Sequence, residues 1–114
     1  MTQAKLNTEL YQKMFAEQKL YRAGLLLMPP TEILNHAYEY VCRENILLSL
    51  EYNDLSSRQA HALLKSSTPL ADIFAKLENT GGSIHLDTIW NTVEARANDL
   101  VRADFIAQRR DDAR

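Results

Sequence analysis

Apolar side chains recur every three or four positions along most of this chain, the spacing that lays them on one side of an α-helix. From about Lys5 to Leu27, the residues Leu6, Leu10, Met14, Tyr21, Leu25 and Met28 share one side of a helical wheel and predict a first helix. Pro29-Pro30 ends it, because proline lacks an amide donor and biases the residue before it away from helical dihedrals. A second helix is expected from about Thr31, a candidate N-cap, to Glu51. Ile33, Leu34, Ala37, Tyr38, Val41, Leu47 and Leu48 form its main face, while Cys42, Ile46 and Leu50 lie on the other side. A helix apolar on more than one side is usually enclosed by partners, so this one is expected at the centre.

Tyr52-Asn53-Asp54 is a weaker interruption. Ser56 followed by Gln59 has the spacing of a capping box and starts a third helix reaching about Lys65, with Ala60, Leu63 and Leu64 inward. Ser66-Ser67-Thr68-Pro69 closes it and opens a fourth, with Thr68 as N-cap and Pro69 in the first helical position. Leu70, Ile73, Phe74 and Leu77 make its stripe. Asn79 to Ser83, with Gly81-Gly82, reads as a loop, and Ser83 to Leu86 as a briefly extended stretch. The fifth helix runs from near Leu86 to about Gln108, carrying Leu86, Ile89, Trp90, Val93, Ala97, Leu100 and Val101 inward. The charged tail 109–114 is expected to fray. The predicted fold is therefore all-α, a compact bundle of about five helices forming a single domain over residues 1–114, a size suited to one core.

Composition narrows the function. Hydrophobic residues at 46% and charged residues at 25% are ordinary globular usage. A single cysteine, Cys42, excludes an internal disulfide framework and a cysteine-based zinc finger, and suits a cytoplasmic protein. Met1 to Lys5 leads into polar sequence rather than a signal-peptide core, and the longest apolar run, Leu25 to Met28, is too short to span a bilayer, so no membrane role is expected. The net charge of −2 provides neither the cationic footprint of a duplex binder nor the dense acidity of a DNA mimic.

Candidate chemistry is sparse. His36, His61 and His85 fall on three segments. Glu32, His36 and Glu39 can share a helix face, but their spacing matches neither zincin nor di-iron patterns, and a solvated cluster without metal is expected. Cys42 reads as a small apolar residue. Glu44 falls within the apolar arc between Ala37 and Leu47, which calls for a partner such as Arg22 or Arg96 and marks it as a structural polar residue or a polar contact in a recessed surface. Helices three and four invite comparison with a helix-turn-helix, yet Pro69 to Lys76 offers one lysine and one aspartate and the turn has no glycine, which disfavours nucleic acid as a partner. No phosphate-binding glycine loop, Ser-His-Asp grouping or dinucleotide fingerprint occurs, so neither a cofactor nor enzymatic activity is expected. Tyr40, at the edge of the apolar arc near His36 and Arg43 with Glu39 beside it, makes an amphipathic patch of the kind enriched at protein interfaces. The other reading of such tyrosines is a core ring with a wet hydroxyl. Phe15 and Leu26, on the far side of helix one, suit an extension of the interaction surface or a homodimer contact.

The runs Glu9 to Met14, Pro30 to Tyr40 with Arg43-Glu44, Asp54-Leu55 with Gln59-Ala60 and Ala62 to Lys65, and Pro69 to Asp72 resemble a family of short uncharacterised proteins of Gram-positive bacteria carried on conjugative and other mobile elements. The likeness covers about Glu9 to Ala97 and brings no catalytic residue with it. It implies a setting in which small accessory proteins bind and disable host defence machinery, including CRISPR effectors and restriction enzymes. The expected function is a non-enzymatic protein-binding module, an anti-CRISPR-like inhibitor docking on a protein through His36, Glu39, Tyr40 and Arg43. The alternative is a small DNA-binding regulator using helices 57–65 and 69–79.

Overall fold

The computed structural model describes residues 2–81 and 85–112 and is all-α over them. Six helices follow in order: α1 (Gln3–Leu26), α2 (Pro30–Asn35), α3 (Ala37–Tyr52), α4 (Ser57–Leu64), α5 (Pro69–Asn79) and α6 (Leu86–Asp112). The expected second helix is thus two. His36 at φ −103°, ψ 1° leaves the helical region and separates α2 from α3. No proline or glycine marks this break. The side chain of His36 instead meets Tyr21 of α1, so tertiary contact accompanies a bend that periodicity does not show. α2 also starts one residue early: Pro29 occupies the N-cap position, so Thr31 lies inside the helix.

Other boundaries follow their chemistry. Ser56 and Gln59 form the reciprocal capping box at α4, Ser56 Oγ accepting from Gln59 N and Gln59 Oε1 accepting from Ser56 N. Pro69 stands at the start of α5. After α5, Gly81 takes φ +99°, a left-handed conformation that suits glycine at a helix exit. α6 continues four residues past the expected Gln108, to Asp112. Of the expected extended stretch 83–86, Leu86 begins α6, and residues 83 and 84 lie outside the described residues, as do 113 and 114 of the tail.

One core joins the elements. Leu6, Leu10 and Met14 of α1 meet Cys42, Ile46 and Leu47 of α3, Leu55 of the α3–α4 connection, Leu63 of α4, Leu70, Ile73 and Leu77 of α5, and Ile89, Val93 and Ala97 of α6. α4 packs on α1 and α6, α3 on α6, α5 and α1, and α2 on α1 and α3. α3 turns Cys42, Ile46 and Ser49 inward, together with Arg43 and Leu47. Part of the face expected inside lies outside: Leu34 is 73% exposed, and Tyr38 and Val41 are each 50% exposed. The segment expected at the centre is therefore open along one flank. Both sides of 31–51 carry apolar residues, and the kink at His36 together with the contacts of Arg43 accompanies the choice of the inner side.

Candidate functional site

α1 fastens the rest of the bundle through polar side chains that complete the ends of other elements. Asn7 treats Leu55 as a strand neighbour would, donating from Nδ2 to its carbonyl at 2.9 Å and accepting its N–H at Oδ1 at 2.9 Å. Lys13 Nζ donates to the Leu64 carbonyl at the end of α4, at 2.7 Å. One turn later Glu17 receives Leu70 N at 2.8 Å and Ala71 N at 2.9 Å, one on each carboxylate oxygen. A cation at a helix C-terminus and an anion at a helix N-terminus each complement the helix dipole. Because α4 ends where α5 begins, two residues four apart on α1 serve both. Thr68 makes no capping bond with its side chain; its hydroxyl turns to Asp72 at 3.4 Å, and Glu17 supplies the cap.

Glu17 also leads to the residues expected to bind a partner. Arg43, only 8% exposed, directs Nε and Nη2 at one oxygen of Glu39, at 2.9 and 2.6 Å, and places Nη1 3.8 Å from Glu17. Its guanidinium carbon lies 4.0 Å from the centroid of the Tyr21 ring, a cation–π contact. Tyr21 in turn stands edge-on to His36, with its hydroxyl 3.4 Å from Nδ1. Burial first, and then the Glu39 carboxylate, raise the Tyr21 hydroxyl above its ordinary value, with Arg43 opposing, so the phenol stays protonated. The structure therefore brings His36, Glu39 and Arg43 together, but as a clasp between α1 and the α2–α3 bend. Tyr40 is half-buried beside it, its carbonyl accepting from Gln18 Nε2 at 3.3 Å.

Glu44 is exposed, and Gln18 Nε2 donates to its Oε1 at 3.1 Å. Arg96, one of the two arginines expected as its partner, lies 3.6 Å from Asp72 instead. The charge enclosed on α3 is that of Arg43. Glu32 points to solvent and Glu39 is committed to Arg43; among the described residues no group of three or more His, Cys, Asp or Glu is placed to hold a metal ion. Cys42 is free and buried. No helix among the described residues is long and apolar enough to cross a membrane.

Two features of the surface stand out. The outer flank of α2–α3 carries Leu34, Tyr38 and Val41 at spacings of four and three. On another part of the molecule, a groove of about 610 Å³ runs between α4 and the far end of α6. Arg58, His61 and Lys65 line one wall and Val101, Asp104 and Phe105 the other. Lys65 and Asp104 pair across it at 3.1 Å.

The profile of DUF3848, described as a protein of unknown function, matches residues 6–113. The chain belongs to the DUF3848 family. The DUF3848 match begins at Leu6, the first core residue of α1, and takes in the rest of α1, the whole of α2 to α6 and both surface features. No curated protein and no solved structure matches the chain.

Sequence reasoning missed Glu17, Gln18 and Tyr21 as parts of the polar framework of this DUF3848 fold. A signal for one of them, Gln18, exists. The stripe Leu6, Leu10, Met14 steps by four, and its next position is Gln18, which is buried on the α3 side. Lys13 and Glu17 are opposite charges four apart, a spacing that also suits a pair within α1, and nothing local shows that both are used elsewhere.

Proposed function

We propose that this chain is a non-enzymatic protein-binding module that docks its partner on the outer flank of α2–α3. The observation that carries this reading is the exposure of three large apolar side chains around the His36 bend, Leu34 at the end of α2 and Tyr38 and Val41 in the first turns of α3. Large apolar side chains grouped in this way give up hydration to a complementary face, at about 25 cal/mol for each Å² covered. Tyr38 adds the amphipathic ring favoured at interface centres. Glu39 and Tyr40 flank the stripe on α3, while His36 at the bend and Arg43 within α3 both contact Tyr21 of α1. The sharper form of the proposal takes its setting from the resemblance to proteins of mobile elements in Gram-positive bacteria: a cytoplasmic inhibitor of a host defence effector, anti-CRISPR-like, acting by docking rather than DNA mimicry. The net charge of −2 supports that mode.

The rival reading, a DNA-binding regulator, draws less support from α5. Leu70, Ile73 and Leu77 of that helix are buried, Lys76 pairs with Asp99 at 2.7 Å, and the N-terminal amides are taken by Glu17. Its exposed positions are Ala75, Glu78 and Asn79, a poor set for base edges.

A plasmid-challenge assay tests the proposal in cells carrying an active CRISPR or restriction system. The wild-type chain should restore transformation, and Leu34→Asp/Val41→Asp should lose at least about tenfold of that protection while keeping its helical circular dichroism. Equal protection by the variant would reject the flank as the docking face. A chain that protects against no system but shifts duplex DNA at physiological salt would favour the regulator.

A further inference from the structure

We infer that the groove between α4 and α6 is a second docking site, and that it takes an acidic amphipathic helix of a partner protein. Three observations point to that occupant. Apolar side chains line part of it, Ala62 on α4 and Val101, Phe105 and Ala107 on α6. The rim is cationic on a chain whose net charge is −2: Arg58 and Lys65 border the groove, and Arg109 lies over Phe105 with its guanidinium carbon 5.9 Å from the ring centroid. Among the described residues one anion, Asp104, lines the groove, and it is engaged by Lys65. An incoming carboxylate therefore meets Arg58 unopposed and competes for Lys65, whereas a cationic segment meets two like charges.

The third observation is the overhang of α6. Its last core residues are Ala97 and the half-buried Leu100, yet the helix runs on to Asp112 with residues 102–110 exposed, among them Phe105 and Ile106. A helix end without tertiary packing gains little from propensity alone. A partner helix laid along α4 and this overhang covers Phe105 and gives the extension a surface to pack on, the helix-in-groove mode of recognition. Duplex DNA is the weaker fit: two or three cations beside apolar side chains neutralise few phosphates.

The probe is a fluorescent designed peptide of about 15 residues, roughly four helical turns, with leucines in one stripe and glutamates on both flanks. A second peptide carries lysine in place of every glutamate. In anisotropy titrations of the full chain the glutamate peptide should bind and weaken as salt rises. Arg58→Glu/Lys65→Glu, checked by circular dichroism, should weaken it by about tenfold or more and bind the lysine peptide better than wild type does. Phe105→Ser, at a side chain already exposed, should weaken both. Indistinguishable binding of the two peptides would overturn the inference. So would displacement of the glutamate peptide by duplex DNA at physiological salt, or a wild-type dimer in sedimentation that Phe105→Ser dissociates, which would assign the groove to a second copy of this chain. Leu34→Asp/Val41→Asp should bind the glutamate peptide as wild type does, which separates this site from the α2–α3 flank.

Discussion

Glu17 closes the start of α5 with both oxygens and stands within 3.8 Å of Arg43, whose main partner is Glu39. Glu17→Gln keeps one acceptor but removes the charge that faces the α5 dipole. Urea unfolding should show a loss of about 1–2 kcal/mol. Arg43→Met leaves two carboxylates facing a space with no cation. The expected loss is about 2–4 kcal/mol, short of a fully enclosed pair because Glu39 keeps 26% of its side chain accessible. Glu17→Gln combined with Arg43→Met should cost less than the sum of the two, a coupling that a double-mutant cycle reads directly. Asp99 gives a pH-dependent test. The Lys76 hydrogen bond, and after it the Lys76 and Arg102 charges, hold its carboxyl below the ordinary value against the effect of burial. A depressed folded value stabilises above the unfolded value, near about 4, and that contribution disappears as pH falls through the folded one. Lys76→Met should therefore be less stable than wild type at neutral pH, with the gap closing in acid.

At the level of helices, the connection between α3 and α4 depends on Asn7. Asn7→Ala strips Leu55, a fully buried residue, of partners for its N–H and its carbonyl, although Gln3 Nε2 still reaches the carbonyl at 2.8 Å. The expected cost is about 1–3 kcal/mol, with faster amide exchange at Leu55 than at core positions of α6. The capping box at Ser56, the Pro69 start and the stripes of α4 and α5 were legible because each signal is local, a side chain answering a backbone group within a few residues. The split of 31–51 at His36 was not, since the contact that accompanies it comes from a tyrosine fifteen positions earlier. The inward side of α3 was misjudged for a related reason. Leu34, Tyr38 and Val41 repeat as regularly as Cys42, Ile46 and Leu50, and periodicity ranks faces only by how greasy they are. Arg43 looks like a surface contact in sequence because, beyond its i−4 neighbour Glu39, an arginine in a helix gives no sign of the Tyr21 ring and the Glu17 carboxylate that will enclose it. Among the candidate site residues, proximity was foreseen from helical spacing, whereas the clasp to α1 needed the third dimension.

The whole molecule measures 53 × 30 × 25 Å, longer than a sphere of this mass because α6 alone, with 27 residues, spans about 40 Å. Removing residues 103–114 deletes no member of the core and breaks the Lys65–Asp104 pair, which is half-exposed and worth at most about 1 kcal/mol. The shortened chain should melt close to wild type, shrink in small-angle scattering, and lose the peptide-binding groove. The fastening role of α1 has a consequence for how the protein is made. Asn7 must wait for Leu55, Lys13 for Leu64 and Glu17 for Ala71, separations of 48, 51 and 54 residues. During translation the first helix thus leaves the ribosome with its greasy side uncovered, and it lacks its full set of clients until Ala71 has been synthesised. A ribosome stalled before Pro69 emerges should hold a nascent chain that proteases cut freely within α1, and one stalled after α6 has cleared the exit tunnel should resist.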